Sequence, residues 1–133
     1  MAVAALVAWV VTAAAGAYLL AAWSANGGPS TKVTRFPALV VAGHPLTAAL
    51  GLAVWIAHLA TGAAGYAWGA FAALLVIIFQ GFLLLTRWLV GRGGRHARGA
   101  GQAFPGTAMA VHGLVAVLTF VLVFLTAIKA GRP

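Results

Sequence analysis

The sequence predicts an all-α integral membrane protein, a four-helix up-down-up-down bundle built from two parallel helix-pair repeats. Three observations carry that expectation. Of 133 residues, 64% are hydrophobic and only 6% charged, with a mean hydropathy of +1.07; a soluble domain carries about 25% charged residues. Four apolar runs each reach the roughly 20 residues a helix needs to cross a bilayer. Finally, Phe36-Pro37, six residues and then His44 recurs as Phe104-Pro105, six residues and then His112.

The first span is expected over residues 2–23. No basic stretch precedes it, and its apolar part is longer than that of a secretory leader. A polar loop follows, broken at Asn26-Gly27-Gly28-Pro29 and carrying Lys32 and Arg35. Pro37 then opens the second span, 37–60, at a helical position where a missing N–H costs nothing. Pro45 falls inside this span, where its ring displaces the Val41 carbonyl; membrane helices tolerate this when neighbours repair the bonding. A short turn at Thr61-Gly62 leads to the third span, 66–90. Arg92, Arg95, His96 and Arg98 sit in a glycine-rich loop, after which Pro105 opens the fourth span, 105–128. The whole chain, 1–133, reads as one transmembrane domain whose repeat halves are 1–62 and 66–130.

Charge placement sets an expected orientation. The loops after spans one and three carry Lys32, Arg35, Arg92, Arg95 and Arg98, with Arg87 adjoining, whereas the other side has Lys129 and Arg132. The positive-inside bias puts the basic loops in the cytoplasm and both termini outside, as in a multi-pass protein of the plasma membrane. Trp23 and Trp88 then fall in the inner interfacial belt, and Tyr66 and Trp68 in the outer one.

Composition also excludes chemistry. With no cysteine there are no disulfides, iron–sulfur clusters or thiolate metal sites. With no Asp or Glu there is no carboxylate-driven proton antiport, carboxylate-bridged metal or acidic proton relay. The formal charge of +8 suits anionic lipid, an acidic partner subunit or an anionic ligand such as haem propionates; plain topology signalling is the commoner reason for such a charge. Nucleic acid is not an expected partner, because the cations sit in short loops beside membrane helices.

The repeated stretch matters most. Aligned without a gap, 36–62 and 104–130 also match at Ala42/Ala110, Leu46/Leu114, Ala48/Ala116 and Leu50/Leu118. Alanine and leucine matches are cheap in this chain; Phe, Pro and His are rare in it. An even number of spans separates the copies, so spans two and four run the same way and sit diagonally. Diagonal axes lie about 11–14 Å apart, given neighbours at 8–10 Å. That gap reads as too wide for side-chain contact but right for a flat group clamped between imidazoles. His44 and His112 sit at matching depth, and His58 follows His44 by 14 residues on the same face, about 21 Å along the helix.

This pattern resembles the membrane-embedded b-type cytochromes, in which two histidines some fourteen residues apart on one helix face two on another and hold stacked haems. The resemblance implies one haem b held by His44 and His112 as iron ligands and an electron-transfer role, with a quinone or a partner oxidoreductase as donor or acceptor. The departure is at Thr126, which stands where a partner for His58 belongs, so a second haem near His58 would lack a protein ligand.

Each residue also has a plainer account. The histidine pair could bind another metal or hydrogen-bond between helices. His58 is structural or quinone-facing, and His96 simply solvated. Gly51 and Gly113, with Gly16 and Gly81, would let a macrocycle approach the backbone or just let helices pack closely. Arg35, Arg87 and Lys32 could pair with propionates or serve topology alone. Gln80 bonds across the bundle or touches the cofactor. The alternative function is a non-catalytic accessory subunit of a larger membrane complex, or of a homo-oligomer. A transporter is weaker, since broken helices and carboxylates are missing.

Overall fold

The computed structural model describes residues 1–26, 38–91 and 105–132. They form four α-helices: α1 (Ala2–Ala25), α2 (Ala38–Thr61), α3 (Ala64–Gly91) and α4 (Gly106–Ala130). All four are long and apolar enough to cross a membrane. Large apolar side chains such as Leu39, Phe79, Leu114 and Val90 stand exposed around the outside. In water that surface would be ruinous, whereas in lipid it is the expected solvent face.

Each helix begins and ends for a local reason. Pro105 lies extended (φ −70°, ψ 100°) as the N-cap of α4, so the helix starts one residue later than expected. α2 continues through Pro45, and Thr47 Oγ1 donates to the Gly43 carbonyl at 2.8 Å one turn away. The α2–α3 connection is two residues long and hinges on Gly62 at φ +70°, a left-handed conformation that a Cβ would penalise by about 1–2 kcal/mol. Gly62 N–H donates to the His58 carbonyl at 2.8 Å, while Thr61 Oγ1 accepts from Ala63 N–H at 3.3 Å.

The most extensive pairings join α2 to α3 and α1 to α4. The two pairs meet along shorter seams, α3 on α4 and α1 on α2. Among the described residues α1 does not pack on α3, nor α2 on α4, so α2 and α4 face each other across the interior. Small residues let the partners close up. Gly51 lies where a Cβ would stand 3.0 Å from both the Trp9 ring and the Ala73 methyl. The core at this level comprises Trp9, Trp55, Ala70, Leu74 and Val123, all essentially buried. Nearer the α2–α3 turn, Phe71, Phe120 and Phe124 cluster at centroid distances of 5.1 and 5.2 Å from Phe71. With little hydrophobic drive between helices in lipid, such close packing is the main cohesive term.

Candidate functional site

Two side chains reach into the interior from helices whose backbones do not pack against each other. His44 of α2 and His112 of α4 are half-buried, with ring centroids 6.2 Å apart and planes at 64°, edge toward face. The expectation that diagonal spacing keeps these rings out of contact is therefore corrected. Each imidazole extends several ångströms from its helix axis, and two of them span the gap.

The orientation of His112 follows from its hydrogen bond. Nδ1 lies 2.9 Å from the Thr12 carbonyl oxygen of α1. A carbonyl can only accept, so the proton is on Nδ1, and in the neutral ring Nε2 is left as the lone-pair nitrogen. A backbone carbonyl on Nδ1 is the usual outer partner of a metal-ligating histidine. His44 is held less firmly: its Nδ1 is buried and makes no well-formed hydrogen bond, although the Ile77 backbone of α3 is the acceptor that faces it.

The surroundings are polar only in patches. Gln80 of α3 has a buried Oε1 with no partner, and its amide nitrogen lies beside Gly43. Thr12 Oγ1 and Thr119 Oγ1 meet at 3.2 Å between α1 and α4, and each also points at its own helix, to Ala8 and Val115 carbonyls at 2.8 Å. Unpaired polar atoms at this depth cost about 1–3 kcal/mol each, so the level of the two histidines is under-satisfied.

The remaining candidate residues lie elsewhere. His58 is buried at the α2–α3 turn, its Nδ1 donating to the Ala63 carbonyl at 3.1 Å and its ring tilted over Trp55 at 5.1 Å. Its contacts are those of a turn-stabilising side chain. Thr126, its counterpart in the second copy, is buried and donates to the Leu122 carbonyl at 2.7 Å. Gly51 serves the Trp9 contact rather than the histidine level, and Gly113 has nothing within 4 Å of where a Cβ would be. Arg87 is exposed, six residues beyond Gly81 on α3. Arg35, Lys32 and His96 lie outside the described residues, as do Phe36-Pro37 and Phe104. Among the described residues, no group of three or more metal-ligating side chains comes together.

No protein-family model, curated protein or solved structure matches this chain. The site therefore has to be read from its own residues.

One contribution has no counterpart in the sequence reading, that of the Thr12 carbonyl of α1. A backbone carbonyl has no residue signature, so Thr12 gave no sign of holding His112. A signal did exist: α1 matches α3 at a separation of 65 residues, with identities at Ala5/Ala70, Ala8/Ala73, Gly16/Gly81, Leu20/Leu85 and Trp23/Trp88 among others. The second copy of the histidine segment stands 68 residues from the first, so one ungapped alignment cannot capture both helix pairs.

Proposed function

We infer that the chain is a small b-type cytochrome, an electron-transfer protein that binds one haem b between α2 and α4. The observation that carries this reading is the facing pair His44 and His112. Their ring centroids stand 6.2 Å apart across the interior, and these two imidazoles would hold the group. Three further observations agree. The Thr12 carbonyl fixes the His112 proton on Nδ1 and leaves Nε2 to bind. The rings lie against Gly16 and Gly81, which have no side chains to block a flat group. Buried polar atoms of His44 and Gln80 lack partners at the same level.

When bound, the haem supplies reversible one-electron chemistry, its potential set by axial ligands, burial and nearby charge. The chain's own residues do the rest. His44 and His112 would fix the group from two helices whose backbones do not pack against each other. The apolar walls exclude water, and with no carboxylate in the sequence no side-chain anion opposes a positive centre. The short seams between the two helix pairs are the natural place for a plate to lie. Arg35, Arg87 and Lys32 are the cations from which propionates would draw partners.

The same reading takes the bundle as up-down-up-down with both termini outside the plasma membrane. One contact favours the up-down order: Lys129 Nζ lies 3.5 Å from Met1 Sδ, joining the end of α4 to the start of α1. It also takes the two helix pairs as parallel repeats, as the matches between α1 and α3 suggest. A quinone or an oxidoreductase subunit would exchange the electrons.

Direct edge-to-face contact of the two rings favours a second reading, in which the histidines only brace the diagonal of an accessory subunit. Colour separates the two. Protein purified in detergent from haem-replete cells should be red, give a pyridine haemochrome of haem b and show a six-coordinate spectrum on dithionite reduction. A colourless preparation that co-purifies with stoichiometric partners would overturn the cytochrome reading.

A further inference from the structure

Each of the two imidazoles rests against a glycine of a helix other than its own. At Gly16 of α1 an added Cβ would stand 3.0 Å from His112 Cε1 and 3.4 Å from its Nδ1, and the three heavy atoms nearest to it all belong to that ring. At Gly81 of α3 it would stand 3.4 Å from His44 Cε1. Four residues before Gly16 is Thr12, whose carbonyl takes the His112 proton; four before Gly81 is Ile77, whose backbone faces His44. One turn separates carbonyl and glycine on each helix, and both pairs, Thr12/Ile77 and Gly16/Gly81, are 65 residues apart.

The geometry points to Gly16 and Gly81 as positioning residues, each leaving a bare patch of helix on which one imidazole rests; at Gly16 the Nδ1 of that ring also turns to the Thr12 carbonyl one turn away. Other glycines in the bundle do different work. Gly51 admits the Trp9 ring and the Ala73 methyl, and Gly113 faces open space. Close helix packing therefore does not account for the two seats, since what fills them is a ring from α4 or α2 and not the neighbouring backbone. A Cβ at Gly16 would force the ring to give by a few tenths of an ångström, whereas one at Gly81 only just reaches contact distance, so the two substitutions should act unequally. Holding the rings fixes the angle between their planes, 64°, and, for His112, the direction in which the Nε2 lone pair is offered. The consequence for a bound metal rests on the haem reading; the seat itself does not.

The test uses the full chain in detergent micelles, with nitrogen-15 imidazole spectra of wild type, Gly16→Ala, Gly81→Ala, Gly51→Ala and Gly113→Ala. In Gly16→Ala the hydrogen-bonded Nδ1 proton signal of His112 should be lost to exchange or shifted. In Gly81→Ala the His44 signals should shift by less. Gly113→Ala should move neither, and Gly51→Ala should lower stability without moving either. Unmoved His112 signals in Gly16→Ala, or equal shifts in Gly51→Ala, would overturn the assignment. Should Gly16→Ala fail to fold, Gly81→Ala decides, and unmoved His44 signals there sink the proposal. On pigmented protein, the largest g value of the ferric low-spin signal should shift in the same two variants. Colourless protein with shifted imidazole signals would refute the cytochrome reading and leave the seats standing; red protein with unshifted signals would do the reverse.

Discussion

His112 donates its Nδ1 proton to the Thr12 carbonyl at 2.9 Å, and so a side chain of the last helix is oriented by the backbone of the first. That one bond decides which nitrogen of the ring remains available. It also ties together two segments a hundred residues apart in the chain.

From this asymmetry, His112→Ala and His44→Ala should each abolish the six-coordinate spectrum of reduced, pigmented protein, whereas His58→Ala should retain it. Absorption spectra of the three purified variants decide the point. Loss of the spectrum in His58→Ala alone would move the cofactor to the other end of α2.

His58→Ala should instead cost stability. It removes the bond to the Ala63 carbonyl and the ring that lies over Trp55, which together are worth about 2–4 kcal/mol by the usual cost of truncating a buried side chain. Unfolding by SDS in mixed micelles reads this directly.

At the α1–α4 contact, Thr119→Val keeps the shape of a residue only 1% exposed while deleting its 3.2 Å contact to Thr12. Hydrogen bonds between membrane helices average about 0.6 kcal/mol in double-mutant cycles. A cycle with Thr12→Val should give a coupling of that order, and the Thr12 carbonyl, being backbone, should still hold His112. A coupling of zero would mean that each hydroxyl serves only its own helix.

Gly51→Leu should be among the most damaging changes in the bundle. Even one added carbon would meet the Trp9 ring and Ala73 at 3.0 Å, and overpacking a tight core costs about 1–3 kcal/mol or more. The midpoint of SDS unfolding should fall well below that of Gly113→Leu.

Orientation can be checked with cysteines, since the chain has none of its own. Gly65→Cys, open on all sides at the α2–α3 turn, should react with a membrane-impermeant maleimide in intact cells. Ser24→Cys at the exposed end of α1 should react only after permeabilisation. The opposite pattern would invert the proposed topology.

The four helices were legible because apolar run length alone bounds them. Spans expected at 2–23, 37–60, 66–90 and 105–128 are found within a few residues of those limits. α3 starts earlier than expected because Gly62 makes the whole turn and Ala64 can already be helical. Of the candidate site, His44 and His112 were legible as rare residues at a repeated spacing. The distance between them was not, since it depends on side-chain reach rather than on helix spacing. Gly51 was assigned to the histidine face by periodicity, yet two turns along α2 it meets α1 at Trp9 instead, because the neighbour on that side changes with depth. Arg35 and Lys32 lie outside the described residues.

The pairing of helices has a bearing on biosynthesis. α2 and α3 are neighbours in the chain and can zip together as a hairpin while still emerging from the ribosome. α1 has its broadest partner in α4, two helices further along the chain, and has to wait for that partner to be made. Half of the histidine pair, and the carbonyl that steers it, thus come together only after α4 has been made. A nascent chain that stalls before α4 would hold one imidazole with nothing opposite it.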